Sequence, residues 1–228
     1  MKPELRAEAE AVLSSWGMSL DARAWGLLDN YLVDVLEYSR RVNITAAEGE
    51  EELVRRHLLD SFAGVNALRG RLGPAPRIAD VGAGGGFLGF CVKIAWPEAE
   101  VTLIESVYRK YRFLNVAALH LGVPGLRVVH ERIEPRRVPA PGAGRYDAVM
   151  ARAVAPLPEL ARIALPMAPL LAAWTSAPPS PGDAALEKAL SPHAAAVLED
   201  RTYRLPGEER ERHIVLVGAK SPAERGNA

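Results

Sequence analysis

The feature that most constrains this chain is the run Asp80-Val81-Gly82-Ala83-Gly84-Gly85-Gly86-Phe87, near the middle of its 228 residues. It completes a short apolar segment, Ile78-Ala79-Asp80-Val81, and opens a stretch with helical patterning. Strand, glycine turn and helix in that order are the context that gives such a motif meaning. Glycine lets the backbone turn sharply and lets a ligand approach closely, because no Cβ stands in the way. The pattern points to a parallel α/β sheet with a ligand at the carboxyl end of a strand. A tight turn without a ligand is the plain alternative.

Further apolar runs occupy residues 101–105, 126–129, 147–151 and 170–174, with helical stretches between them, one around 113–121. Strands alternating with helices imply βαβ units and a parallel sheet. The run at 213–217 has no helix after it. It is expected as an antiparallel edge or hairpin strand, with 195–204 as a candidate partner. The first 72 residues read as helices. Trp25, Leu28, Leu32, Val35 and Leu36 recur at steps of three and four, as do Leu53, Val54, Leu58, Phe62, Val65 and Leu68. Thr45-Ala46-Ala47-Glu48 has capping-box spacing for the second of these helices. The expected organisation is a helical extension over 1–72, a catalytic domain over 73–220 and a polar, disordered tail over 221–228. Two loops stand out, one rich in Pro, Gly and Arg over 135–145 and one rich in Pro over 175–183.

Spacing within the loop separates cofactor classes. A dinucleotide fingerprint, G-x-G-x-x-G, requires glycine at position 87, where this chain has Phe87. The run D-x-G-x-G-x-G instead matches S-adenosylmethionine-dependent methyltransferases, so S-adenosyl-L-methionine is the expected cofactor. Glu105 ends the next strand, 19 positions after Gly86. A carboxylate there can accept hydrogen bonds from both ribose hydroxyls of an adenosine.

Composition narrows the class further. Lys and Arg total 28 against 28 Asp and Glu, so the chain carries no net charge, and Cys91 is its lone cysteine. No internal disulfide and no thiolate zinc cluster can form, and no metal is expected. The longest apolar run, 163–174, is broken by Pro166 and Pro169 and is well short of the ~20 residues of a spanning helix. A cytoplasmic, soluble chain without membrane association is expected, and a monomer. Residues 105–137 hold seven basic and three acidic side chains. The pairs Arg40-Arg41 and Arg55-Arg56 add basic character to the helical extension, although Arg40-Arg41 alone is better read as a solvated helix face.

The ordered motifs resemble the bacterial small-subunit ribosomal RNA guanine-N7 methyltransferases, known as RsmG or glucose-inhibited division protein B. The motifs are Val42-Asn43-Ile44-Thr45, Arg56-His57-Leu58-Leu59-Asp60-Ser61, Asp80 to Gly89, Lys110-Tyr111-Arg112-Phe113-Leu114, Arg132-Ile133-Glu134, Ala151-Arg152-Ala153 and Glu211-Arg212-His213-Ile214-Val215. The resemblance implies a Rossmann-like class I methyltransferase fold, a seven-stranded mostly parallel sheet with an N-terminal helical extension. It implies methyl transfer to N7 of a guanine in 16S rRNA, with the RNA or the assembled small ribosomal subunit as partner. It places Gly82, Ala83, Gly84, Gly86 and Phe87 at the cofactor's methionine part, Glu105 and Ser106 at the ribose, and Arg132, Ile133 and Glu134 near the adenine. Asp80 either caps the loop or binds the methionine amine or a water. Arg152 and Arg132 are the candidate catalytic residues. Arg152 is expected to orient the guanine or its phosphate, with a structural clamp to a carboxylate as its other reading. Arg132 either contributes similarly or orders the cofactor loop. His57, Asp60 and Ser61 share a helical face and are read as a buried cluster joining the extension to the sheet, with a cofactor lid as the alternative. The chain departs from the family pattern at Leu88, where the family usually has Pro, and after the fifth strand, where the family usually carries a Lys-Gly dipeptide and this chain reads Trp174-Thr175-Ser176-Ala177-Pro178-Pro179. A methyltransferase acting on another acceptor and a non-catalytic, RNA-docking paralogue are the alternative functions.

Overall fold

A computed structural model describes residues 1–42, 44–47, 49–134 and 146–219. The loop expected over 135–145, the tail over 221–228, Asn43 of the first family motif and Glu48 of the capping box lie outside the described residues.

Seven strands form one sheet in the order β3-β2-β1-β4-β5-β7-β6. They are β1 (Arg77–Val81), β2 (Glu100–Glu105), β3 (Leu126–His130), β4 (Ala148–Arg152), β5 (Leu170–Thr175), β6 (Ala195–Tyr203) and β7 (Arg212–Ala219). The first five in sequence are parallel, and β7 runs antiparallel to both β5 and β6. The central strands β4 and β5 are short and almost wholly apolar, as a parallel sheet covered on both faces requires. Side-chain alternation divides the core in two. Ile78, Leu103, Met150, Ala172, Ile214 and Leu216 face one layer, and Ala79, Ile104, Val149, Leu171, Val215 and Val217 face the other.

The first layer holds α1 (Pro3–Ser15), α2 (Ala22–Ser39), α3 (Glu50–Glu52), a π-helical turn (Leu53–Leu58), α4 (Leu59–Phe62), α5 (Val65–Arg69), α6 (Phe87–Ala95) and α7 (Tyr108–Leu121). The second holds α8 (Leu157–Ala164) and α9 (Ala184–Leu190). Asp21 caps α2, its Oδ1 accepting from Ala24 N at 2.7 Å. Among the described residues, no helix is long and apolar enough to cross a membrane.

Two local expectations need correction. Thr45 is not the N-cap of the second helix, since Gly49 precedes α3. Thr45 Oγ1 instead accepts from Ala47 N at 3.2 Å and pairs with His57 Nε2 at 3.0 Å. The hydroxyl closes a local turn that competes with the cap. The 213–217 run does pair with 195–203 as a hairpin, but it is interior. β7 lies between β5 and β6, fully buried along its middle, and β6 with Glu199, Asp200 and Arg201 is the charged edge.

Candidate active site

The carboxyl ends of β1 and β4 meet where successive strands depart in opposite directions from β1, the position where open α/β sheets bind ligands. The chain leaves β1 through Gly82, Gly84 and Gly86 at φ +68, +60 and +84°, values that L side chains rarely adopt. Gly82 N and Ala83 N both donate to Ile104 O, at 2.9 and 3.1 Å, which pins the loop across the end of β2. A Cβ at Gly82 would stand 2.6 Å from Val154 Cγ2, so the glycine loop abuts the turn after β4. A Cβ at Gly84 would meet only Gly82 O, at 3.8 Å, so this part of the loop presents an open face.

Glu105 organises the loop from below. Its Oε2 accepts from Gly84 N at 2.8 Å and its Oε1 from Val107 N at 2.7 Å. An ionised carboxylate offers about four lone-pair positions, so acceptor capacity remains. Ser106 O accepts from His130 Nε2 at 3.1 Å. Glu131 N donates to Glu105 O at 3.2 Å, which leads residues 131–134 past the same strand end. Arg132 and Glu134 there are exposed, while Ile133 packs against the second core layer. Asp80, one residue before the end of β1, is buried and its Oδ2 accepts from Gly89 N at 2.9 Å in the first turn of α6. The bond ties the end of β1 to the start of α6 across the glycine loop. Burial pushes the Asp80 carboxyl up to about 7, against the opposing effects of the Gly89 bond and the Arg152 cation.

Arg152 ends β4 and is held by the helical layer. Its Nη1 donates to Asp60 Oδ2 at 2.5 Å and to Ser61 Oγ at 3.3 Å. Asp60, only 2% exposed, is a hub. Its Oδ1 accepts from Tyr203 Oη at 2.5 Å and Arg212 Nη1 at 3.1 Å, and its carbonyl from Trp174 Nε1 at 2.8 Å. Burial and the adjacent Asp60 carboxylate hold the Tyr203 hydroxyl protonated, well above its usual range. The expected cluster of His57, Asp60 and Ser61 is therefore a buried network joining the helical layer to β4, β5, β6 and β7. Tyr203 and Trp174 carry no motif signal, and their role depends on partners more than 100 residues away. Phe87, expected at the cofactor, is buried against protein. His57 stacks on its ring at 4.4 Å, Tyr31 meets it edge-on at 5.8 Å, and the Arg152 guanidinium lies 5.9 Å from its centroid. Burial first, and the Arg152 cation second, lower the His57 imidazole to about 4, so it is neutral near pH 7.

Arg152 also opens onto a cavity of about 460 Å³ at the ends of β4, β5 and β7. Its walls include Ala153, Pro156, Thr175, Tyr203, Arg210 and Arg212. Ala153 has φ +56° without being glycine, a strained conformation of the kind that concentrates at working sites. Arg210 Nη2 donates to Ser176 O at 3.3 Å, which brings a cation to the rim beside Thr175-Ser176. The site thus has two compartments, an open glycine face tied to Glu105 and an arginine-lined cavity, separated by the Gly82–Val154 contact.

Comparison with known proteins assigns relatives. The family model described as rRNA small subunit methyltransferase G matches residues 26–172. A protein named ribosomal RNA small subunit methyltransferase G from Rubrobacter xylanophilus is 37% identical over 225 residues, covering 95% of this chain and 84% of its own length. One of the same name from Halalkalibacterium halodurans is 30% identical over 208 residues, covering 90% and 87%. Among solved structures, magnesium protoporphyrin IX methyltransferase of Synechocystis with bound SAM aligns at TM-score 0.58 and 16% identity, covering 89% of this chain and 99% of that one. TrmN from Thermus thermophilus aligns at TM-score 0.51 and 18% identity, covering 73% and 53%. These structural likenesses carry the Rossmann-like methyltransferase fold.

Proposed function

The chain belongs to the rRNA small subunit methyltransferase G family, and from that premise we propose that it methylates N7 of a guanine in 16S rRNA, using S-adenosyl-L-methionine. The observation that carries the reading is the pairing of an open glycine face at Gly84 with an arginine-lined cavity across the β1–β4 crevice. The residues present fit the cofactor. The unfilled space over Gly84 suits a close backbone approach, Glu105 retains acceptor capacity for a ribose diol, and buried Asp80 suits a cationic ligand. In this reading Gly82, Ala83, Gly84 and Gly86 line the methionine part, Glu105 and Ser106 hold the ribose, and Ile133 with the backbone of Arg132 and Glu134 borders the adenine. Phe87 acts indirectly, by fixing the loop against His57. Residues 1–72 form the extension and 73–220 the catalytic unit. The substrate places its work in the cytoplasm.

Once bound, S-adenosylmethionine supplies an electrophilic methyl on a sulfonium. Guanine N7 has a lone pair and no proton, so the chain needs no general base. The neutral His57, occupied by Thr45, is not asked to be one. The chain's task is alignment, worth about 7–11 kcal/mol when the reacting atoms are held in line. Arg152, fixed by Asp60, presents its remaining donors to guanine O6 or a neighbouring phosphate. Arg210, bonded to Ser176 O, adds a cation beside the segment where the family pattern has Lys-Gly.

The test is incubation of the protein with labelled S-adenosylmethionine and small ribosomal subunits from cells lacking the enzyme. Label is expected in 16S rRNA and, after nuclease digestion, in 7-methylguanosine. Label on another base, on protein, or nowhere overturns the assignment.

A further inference from the structure

The last turn of α2 and the first two turns of α7 pack side by side, with Tyr38 and Phe113 in ring contact at 5.1 Å. Between them lies a second cavity, of about 560 Å³, lined by Arg40, Arg41, Arg109 and Arg112 together with Glu37 and Tyr38. Four guanidinium groups therefore share one cleft with one carboxylate. Among the described residues, none of the four makes an ion pair or a side-chain hydrogen bond. Arg55, Arg56, Arg152, Arg204 and Arg212, by contrast, each reach a carboxylate. Like charges gathered without counterions repel, and a ligand with several anionic oxygens relieves that repulsion.

The surface next to the cleft says which polyanion. On the same helix start, Tyr108 is 57% exposed. Tyr108, Tyr111 and His130 form a cluster with ring centroids 5.0–6.2 Å apart, the Tyr111–His130 pair being stacked. Flat exposed rings beside unpaired arginines are the chemistry of single-stranded nucleic acid, whose phosphates need cations and whose bases need a stacking surface. An acidic peptide would use the arginines and leave the rings idle. Both helices also touch the glycine loop. Tyr31 Oη of α2 donates to Gly85 O at 2.6 Å, and Leu114 of α7 packs where a Gly86 Cβ would stand.

We propose that the α2–α7 cleft holds the phosphodiester backbone of a single-stranded RNA segment, with Tyr108 stacking on one of its bases. The inference rests on the reading of the chain as an RNA methyltransferase and adds a second anchoring point to it. Arg40-Arg41 becomes half of a four-arginine site once α7 is packed beside it.

The full-length protein and two variants, Arg109→Glu/Arg112→Glu and Tyr108→Ala, are compared for binding to a 16S rRNA transcript across a salt series, and for methylation of small subunits. Cofactor affinity by calorimetry reports that each variant is folded. The arginine variant is expected to lose about 1.4 from the slope of log K against log salt, at about 0.7 per phosphate contact, and to raise KM for subunits at least tenfold. Its cofactor affinity stays unchanged. Tyr108→Ala is expected to weaken RNA binding about tenfold with an unchanged slope. If the charge reversal fails to fold, Arg40→Gln/Arg41→Gln serves the same comparison. A variant that binds cofactor and keeps the wild-type slope and KM overturns the cleft, and so does competition by polyglutamate as strong as that by RNA. Wild-type protein that binds RNA through these arginines but labels none overturns the methyltransferase reading and leaves the cleft standing.

Discussion

Gly84 and Gly89 sit five residues apart, and the same substitution is expected to act on them differently. At Gly84, φ is +60° and a Cβ would enter open space. Gly84→Ala should cost about 1–2 kcal/mol of stability from the left-handed backbone and remain folded. It should weaken S-adenosylmethionine at least tenfold by calorimetry, and wild-type affinity would remove the open face from the cofactor site. At Gly89 the backbone is helical, but a Cβ would stand 2.0 Å from Leu103 Cδ2. Gly89→Ala should cost about 1–3 kcal/mol through overpacking, read as a lower urea midpoint. Asp80 gives a pH signature. Burial raises its folded carboxyl to about 7, above its unfolded value. Its contribution to stability is therefore complete below pH about 4 and is lost as pH rises through about 7. A cationic cofactor has the opposite preference and favours the ionised form. Cofactor affinity is expected to climb with pH, by at most tenfold per unit, and to level off above about 7. Asp80→Asn should flatten that profile in titrations at pH 6 and 8. At this scale the glycine run and Glu105 are legible from sequence, because backbone freedom and strand-end position are local. Thr45 is misread as a cap because the same hydroxyl can serve a turn two residues on.

The segment after the Thr45 turn reads as one helix carrying Leu53, Val54, Leu58, Phe62, Val65 and Leu68, and all six are indeed buried, but the structure breaks it after Phe62 and resumes it at Val65. Its middle is a π-helical turn, Leu53–Leu58. The His57 carbonyl at that turn accepts from Ser61 Oγ at 2.6 Å and lies 3.4 Å from Arg152 Nη1. Such wide turns commonly accompany functional sites. The segment is anchored on its other side by Arg55, which donates to both Glu8 carboxylate oxygens, at 2.7 and 2.6 Å. The element thus delivers Asp60 to four strands at once. Removing a buried carboxylate strands its partners, at about 3–5 kcal/mol when all are buried. Arg152 and Arg212 are partly exposed, which favours the lower end. Asp60→Ala should lower stability by about 3 kcal/mol in urea unfolding and slow methyl transfer by freeing Arg152. A change below about 1 kcal/mol would show that the hub is not structural. Apolar spacing reports that a face is buried and is silent on a one-residue widening of the helix, so the π turn was not legible.

Across the whole molecule, the helices before residue 72 and the first face of the sheet share one core. Leu13, Leu28, Tyr31 and Leu32 belong to the same buried set as Phe87, Phe90 and Phe113, and Tyr31 lies 4.7 Å from the Phe90 ring. Deletion of residues 1–39 would strip that face. The truncated chain is expected to aggregate, seen as loss of soluble protein in size-exclusion chromatography. A stable monomer that binds cofactor would instead mark the sheet as self-sufficient. The neutral overall charge is compatible with an RNA partner because charge is distributed unevenly, with unpaired arginines gathered at one edge of the site.

Hydrophobic periodicity, glycine spacing and the acidic strand end were enough to read the parallel sheet, the loop at the end of β1 and the cofactor class. Each of these is encoded within about 25 residues, where backbone sterics and side-chain alternation act directly. The burial of β7 between β5 and β6, the convergence of Asp60 with Tyr203 and Arg212, and the four-arginine cleft were set by packing. β7 pairs with β5 residues 38 to 48 positions away, and the other two join residues about 70 to 150 positions apart, whose proximity no local propensity encodes. Long-range burial selects those partners after the local elements have formed.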